Sequence, residues 1–332
     1  MTMESAHLGK QEWLKARAKV LTSTDMGILL GVSPYDTKLG LWYAKKSGII
    51  QEIPQTDRME NGTHFEPSIA ELIAVKNNLQ IKPFKAFISD STLRIGSSFD
   101  FQITSVFPDS LFFDRFRGLG SGLLEIKSVD PLIYRDNWDE HADTIPYHIE
   151  AQVQHQMLVS GLKWALVGVM VGLQKHAVFY REAKPAIRAR LLREAKDFWA
   201  SIDANTPPPI DFAKDGKYLK TLLGDASGDA YDATTDQTLL GLIDQFKAIV
   251  RDEEAYDFEK RKEVLKNRIL HHVGNASSIV GNGFKITASR TKNTPEKTMT
   301  ITPNDVGKTI TLSNKREGYR QFRHTFKKDD LV

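Results

Sequence analysis

The chain has no cysteine in its 332 residues. A disulfide scaffold, a thiol nucleophile and a cysteine-ligated zinc or iron–sulfur cluster are therefore excluded, and a reducing, bacterial-type cytoplasm is the expected location. No apolar run approaches the ~20 residues of a membrane span, and the start MTMESAHLGKQEW lacks the basic end and apolar stretch of a signal peptide. The expectation is a soluble protein with no membrane partner. A phosphate-cradling G-x-x-x-x-G-K-[ST] loop is missing too, because Thr302 stands where Gly307-Lys308-Thr309 would need its first glycine. That disfavours an ATP-driven enzyme. There is also no fixed-period repeat, no low-complexity tract and no large charge excess, with 45 Lys and Arg against 42 Asp and Glu.

What remains is a composition with 41% hydrophobic and 26% charged residues, enough for one large domain with an appendage or for two modest domains. Charge is distributed unevenly. From Ala276 to Val332 there are eleven Lys and Arg against five Asp and Glu, so a near-neutral body carries a basic tail. Such a tail suits a polyanionic partner, and equally an ordinary solvated surface.

The pattern divides the chain into three parts: an α/β region over residues 1–205, a linker and helical segment over 206–275, and a small basic β unit over 276–332. Thr206-Pro207-Pro208-Pro209 breaks the periodicity between the first two. Leu239, Leu242, Ile243 and Phe246, then Leu265 and Ile269, recur at helical spacing and predict a helix or helical hairpin over 236–273. From Phe284 onward FKITASR, KTMTIT, KTITLS and YRQFRHTF alternate as strands do. In the first part a helix is expected after Gly62, with Pro67 in its first turn and Glu66 near its N-terminus. Residues 93–103 and 122–129 read as neighbouring strands, 146–162 as a helix, 164–172 as a buried strand with 176–182 as its hairpin partner, and 187–199 as another amphipathic helix. This order predicts a mixed sheet flanked by helices. Phe112, Phe113 and Phe116, in the aromatic stretch 107–122, read most simply as core.

The chemistry concentrates at Glu125-Ile126-Lys127. Period-two alternation sends Glu125 and Lys127 to one face of their strand and Ile126 to the other. Asp100 on the preceding strand and Glu66 on the earlier helix are the natural additional carboxylates. Three carboxylates and a backbone carbonyl such as that of Ile126 make a hard oxygen site for Mg2+ or Mn2+. Such a site serves phosphodiester cleavage, with Lys127 orienting water or supporting developing charge. Taken alone, a Glu-x-Lys is also what a solvated strand-edge ion pair looks like. His64, His148 and His155 are scattered on helical patterns and are not assigned as metal ligands.

Several segments taken together carry a resemblance: EWLKARAKVLTSTDMGILLGVSPY, ENGTHFEPSIAELI, RIGSSFD, GLLEIKS and YHIEAQVQHQMLVSG, in that order. The sequence resembles the YqaJ family of viral-type recombination exonucleases, which have the PD-(D/E)XK nuclease fold and are related to lambda exonuclease. The resemblance implies metal coordination by Glu66, Asp100, Glu125 and Ile126, and a catalytic role for Lys127. It also implies a 5′-phosphate pocket formed by Arg17, Thr24, Ser98 and Gln152; a guanidinium, two hydroxyls and an amide are fitting donors for that anion. Thr24 could equally belong to a helix cap, Ser98 to strand backbone and Gln152 to a polar helix face. The sequence departs from the family at Phe99 and Phe101, where members usually have proline before the aspartate and glycine after it.

The implied activity is a metal-dependent 5′→3′ exonuclease on double-stranded DNA ends. It would leave 3′ single-stranded tails for a strand-annealing protein in a bacterial cell carrying a phage or prophage, and would act as a ring-forming homo-oligomer such as a trimer. Two alternatives share the same residues: a structure-selective endonuclease, and a non-catalytic DNA-binding protein that keeps the fold. The absence of cysteine sets aside relatives tied together by an iron–sulfur cluster.

Overall fold

The computed structural model describes residues 4–6, 9–48, 56–224, 227–251, 258–281, 284–288, 297–300, 309–312 and 323–326. It divides into two compact units, Met1–Pro208 and Pro209–Val332.

In the first unit the elements run β1 (Glu4–Ala6), α1 (Lys10–Ala18), α2 (Ser23–Leu29), α3 (Lys38–Ser47), α4 (Asp57–Lys76), β2 (Leu79–Pro83), β3 (Phe87–Asp90), β4 (Ile95–Ser97), β5 (Phe101–Val106), α5 (Phe113–Phe116), β6 (Gly122–Val129), α6 (Pro131–Asn137), α7 (Tyr147–Ser160), β7 (Trp164–Val171), β8 (Lys175–Glu182) and α8 (Pro185–Asp203). The main sheet has the order β2-β5-β6-β7-β8. Within it only β6 and β7 are parallel; the chain crosses between them through α6 and α7, as parallel neighbours require. This is the expected mixed α/β architecture, with helices on both faces of the sheet.

Strand alternation sorts the core into two layers. On β7, Ala165, Val167, Val169 and Val171 join Met26, Trp42, Val153, Met157 and Phe198 from the helices of one face. Trp164, Leu166 and Met170 turn the other way, to Ile69, Ile73 and Ala74 of α4. All eight residues of β7 are buried, so a strand covered on both faces reads as a continuous apolar run.

Three local readings differ from expectation. Residues 93–103 are not one strand: β4 belongs to a small separate sheet, β1-β3-β4, and β5 to the main sheet, with Ser98-Phe99-Asp100 joining them. The helix read after Gly62 begins at Asp57, capped by the Thr56 hydroxyl, which accepts from the Met59 N–H at 3.3 Å. Pro67 and Glu66 therefore lie in its interior, where the missing proline N–H removes a backbone bond to the preceding turn. Of Phe112, Phe113 and Phe116 in the aromatic stretch, only Phe116 is fully buried, stacked on Trp164 with ring centroids 3.7 Å apart, while the other two are half-buried.

The second unit contains α9 (Gly216–Leu222), β9 (Ala230–Asp232), α10 (Gln237–Arg251), α11 (Phe258–Val273), β10 (Ser278–Gly281), β11 (Phe284–Thr287), β12 (Lys297–Thr300), β13 (Thr309–Leu312) and β14 (Arg323–Phe326). The helical hairpin and the sheet β14-β11-β10-β9 share one core, in which Ile243, Phe246 and Ile269 meet Ile279, Phe284 and Ile286. Of the basic residues in the tail, Lys285 alone has a described side-chain environment, and it is exposed.

The first unit depends on close approach at Gly122. A Cβ there would lie 2.5 Å from the Trp164 ring, so the indole can sit over β6 only because this residue has no side chain. Gly122→Ala is expected to cost about 1–3 kcal/mol, the range for overpacking a filled core. Chemical denaturation would measure this, with near-ultraviolet circular dichroism reporting loss of the Trp164–Phe116 stack.

Candidate active site

The site is built around Glu125, which sits in the centre of the sheet and is 3% exposed. A buried carboxylate needs partners, and it has three. Gln152 and Gln156, one turn apart on α7, donate their amides to its two oxygens, Oε1 at 2.5 Å and Oε2 at 2.7 Å. Lys127, two residues along β6 and on the same face, forms an ion pair with Oε1. The expected sharing of one face by Glu125 and Lys127 is present.

Asp100 occupies the point where β5 and β6 separate. Their pairing ends at Phe101 opposite Leu124, which leaves the next outward-facing backbone group of β6, the Ile126 N–H, without a strand partner. The Asp100 carboxylate accepts that N–H at 2.8 Å. Both backbone groups of a strand residue lie on the same edge, so the Ile126 carbonyl faces this same opening. Glu66 comes from α4, one turn before Ile69, where the helix enters the core.

Electrostatics tie the four ionisable groups together. Burial raises the Asp100 pKa well above the ordinary aspartate value and repulsion from Glu125 adds to this, while Lys127 and the Ile126 N–H work in the opposite direction. Glu66 is raised as well, by burial and then by Glu125, against Lys127. Burial alone would lower the Lys127 pKa, but Glu125 and Asp100 outweigh it and hold the amine as an ammonium. Carboxylates that repel one another, beside a single cation, are a donor set suited to a hard divalent ion. Their chemistry fits Mg2+ or Mn2+; their positions do not form a ready cage. Among the described residues no group of three or more His, Asp or Glu side chains is arranged to hold a metal. Glu125 is drawn to its amides and lysine, and Asp100 to a backbone N–H.

The residues implied for a 5′-phosphate are only partly brought together. Arg17 lies over the Trp13 ring at 4.4 Å, and the Trp13 indole donates to the Ser98 hydroxyl at 2.7 Å. Burial lowers the Arg17 pKa and Asp25 opposes this. Thr24 is exposed in the first turn of α2, its hydroxyl 3.1 Å from that of Thr22. Gln152 donates its amide to Glu125.

Sequence reasoning missed Gln156 and Trp13. The first was detectable as the i+4 partner of Gln152, on the same helix face. The second had no signal beyond its i−4 relation to Arg17. Of the three histidines left unassigned, His155 is fully buried with its pKa pushed down to about 3 by desolvation, and its Nδ1 lies 3.0 Å from the Ser23 hydroxyl. His148 packs edge-on to Tyr35 and His64 edge-on to Phe65.

Part of the chain matches a known family model. Residues 12–163 match the YqaJ-like viral recombinase domain. Over 285 residues the chain is 21% identical to "Uncharacterized protein YqaJ" of Bacillus subtilis (strain 168), covering 84% of this chain and 83% of that protein. Among solved structures it is similar to the alkaline exonuclease LHK-Exo of Laribacter hongkongensis, at 19% identity and a TM-score of 0.46, over 64% of this chain and 97% of that one. LHK-Exo in complex with dAMP gives 18%, 0.47 and the same coverages. A phage-related exonuclease from Haemophilus somnus 129PT gives 9% and 0.38, over 56% of this chain and 96% of that one.

The raised carboxylates predict a pH dependence. A carboxyl whose pKa is higher in the folded than in the unfolded state binds more protons when folded, so it lowers stability as pH rises from its unfolded pKa to its folded one. Asp100→Asn can still accept the Ile126 N–H but carries no charge. In metal-free buffer it is expected to be more stable than the wild type at neutral pH, with the difference shrinking as the buffer is acidified through the carboxylate range. Urea denaturation over a pH series would measure this; a difference independent of pH would remove Asp100 from the repulsive cluster.

Proposed function

We propose that this chain, whose residues 12–163 match the YqaJ-like viral recombinase domain, is a metal-dependent DNA exonuclease of PD-(D/E)XK type that digests double-stranded ends in the 5′→3′ direction. The observation that carries this reading is the buried Glu125 carboxylate paired with Lys127 and electrostatically coupled to Asp100 and Glu66. A structural ion pair would have no use for two further carboxylates whose charges it makes costly. The proposal extends to a bacterial cytoplasmic setting, a ring-forming homo-oligomer such as a trimer, and 3′ tails handed to a strand-annealing protein.

Glu66, Asp100, Glu125 and the Ile126 carbonyl would hold Mg2+ or Mn2+, which when bound acidifies water and neutralises charge on the scissile phosphate. Lys127, kept as an ammonium, serves as a hydrogen-bond donor and counter-charge to the phosphate, not as a base. Gln152 and Gln156 fix the rotamer of Glu125, so its orientation is set before substrate arrives. Arg17, held flat by Trp13, presents guanidinium donors to a terminal 5′-phosphate, with the Ser98 and Thr24 hydroxyls as the neutral donors of that pocket.

Purified protein with Mg2+ is expected to degrade linear duplex DNA, to prefer 5′-phosphorylated ends and to leave closed circles intact; cutting of closed circles would favour an endonuclease. Glu125→Gln and Lys127→Ala are expected to lower turnover by roughly 10²-fold or more, the scale for losing a positioned electrostatic group. Mg2+ should raise the melting temperature of the wild type and not of Glu125→Gln, a readout independent of turnover. Arg17→Ala is expected to reduce the preference for 5′-phosphate over 5′-hydroxyl ends, and an unaltered ratio would remove Arg17 from the pocket.

A further inference from the structure

Away from the carboxylates, the first unit carries a basic cleft organised by one strained residue. Arg94 has φ +53°, in the turn that joins β3 to β4. Glycine or asparagine is the usual occupant of a left-handed turn position, whereas this chain places a long cation there. The strain is held from several sides. The Arg94 carbonyl accepts the Leu21 N–H at 2.8 Å and the Trp199 indole N–H at 3.0 Å. Its guanidinium lies on the Trp199 ring at 3.5 Å, and one guanidinium nitrogen, Nη1, reaches Asp203 at 3.0 Å. A strained conformation fixed by this many contacts is the kind of feature that accompanies a site.

Arg94 and Trp199 form a shared wall between two cavities. One, of about 1070 Å³, is bordered by Lys15 on α1 and Lys19 at its C-cap; the other, of about 510 Å³, by Arg193 and Lys196 on α8. These four side chains are exposed. The acidic groups in the two linings are Glu12 and Asp203. The larger cavity also lies across α1 from Trp13 and Arg17. Trp13 and Arg17 occupy one face of α1, towards Ser98, while Glu12, Lys15 and Lys19 occupy another at helical spacing. The two faces are therefore separated by no more than the 10–12 Å width of a helix with its side chains.

We propose that the cleft centred on Arg94 binds the phosphate backbone of single-stranded DNA. The choice of DNA as occupant rests on the nuclease reading, which puts a DNA end on the opposite face of α1. The charges and the shape of the cleft do not rest on it. A flexible single strand can follow the cations on both sides of Arg94, from Lys15 and Lys19 to Arg193 and Lys196. The Trp199 indole is covered by the guanidinium and is 5% exposed, so bases find no ring to stack on. Recognition is by charge, and it is indifferent to sequence.

Arg94→Gly keeps the turn, because glycine adopts the left-handed conformation without strain. The full chain is titrated with a fluorescently labelled oligothymidylate in chelator, so that no cleavage occurs, over a salt series. Relative to wild type, Arg94→Gly and the double variant Lys15→Ser/Lys19→Ser are expected to bind on the order of tenfold more weakly. Their log–log salt slope should be shallower by about 0.7 for each phosphate that is no longer neutralised. Unchanged affinity and slope in both variants would overturn the proposal. So would displacement of the oligonucleotide by polyglutamate at equal charge concentration, which would mark the cleft as a dock for an acidic protein segment. Failure of the nuclease reading shows separately, as wild-type protein that binds the oligonucleotide but degrades no linear duplex with Mg2+.

Discussion

A buried negative charge on a central strand governs the first unit. Glu125 lies between two layers of apolar side chains, and an unpartnered carboxylate there would be neutralised or would disfavour the fold. The chain answers with two glutamines from α7 and an ammonium from its own strand. That requirement fixes more than a side chain. It sets the rotation of α7 about its axis, because Gln152 and Gln156 must face the sheet while Val153 and Met157 enter the core. It also sets the register of β6, because a shift of one residue would place Ile126 where the carboxylate is.

Around that charge the site is arranged at the expense of stability. Asp100 and Glu66 stand close enough to Glu125 to be repelled by it, and burial makes the repulsion more costly. Lys127 offsets part of this. The remaining imbalance is what the proposed metal ion would relieve. The separation of β5 and β6 beyond Leu124 serves the same end: an unzipped strand edge exposes the Ile126 backbone, and a carboxylate moves in to satisfy it.

The helix α1 and its C-cap link the two proposed functional faces of the unit. Through Trp13 and Arg17 it reaches Ser98, and through Lys15 and Lys19 it borders the cleft at Arg94. The strain at Arg94 and the strain among the carboxylates have the same logic. In each place a residue that local preference would reject is held by tertiary contacts, which is where departures from local rules are expected to coincide with function.

Much of this could be read along the chain. β6, β7 and β8 and the helix carrying Gln152 were legible because alternation and helical spacing record burial directly, and the face shared by Glu125 and Lys127 follows from a period of two. The paired helices of the second unit were legible from Leu239, Phe246 and Ile269 for the same reason. Residues 93–103 were not, because the break at Ser98-Phe99-Asp100 is made by two sheets competing for adjacent strands, and no local signal marks it. The true start of α4 was hidden because the first three turns of that helix bury no apolar face that periodicity could reveal. Gln152 was placed correctly on its helix and then found bound to Glu125, since a side chain's partner depends on which strand passes beneath it. Local sequence thus determined the strands, the helices and the acidic character of the site, all of which depend on neighbours a few residues away. The tertiary structure alone decided which carboxylate is buried, which amides hold it and where Arg94 is forced into a left-handed turn, because those outcomes depend on groups brought together from distant parts of the chain.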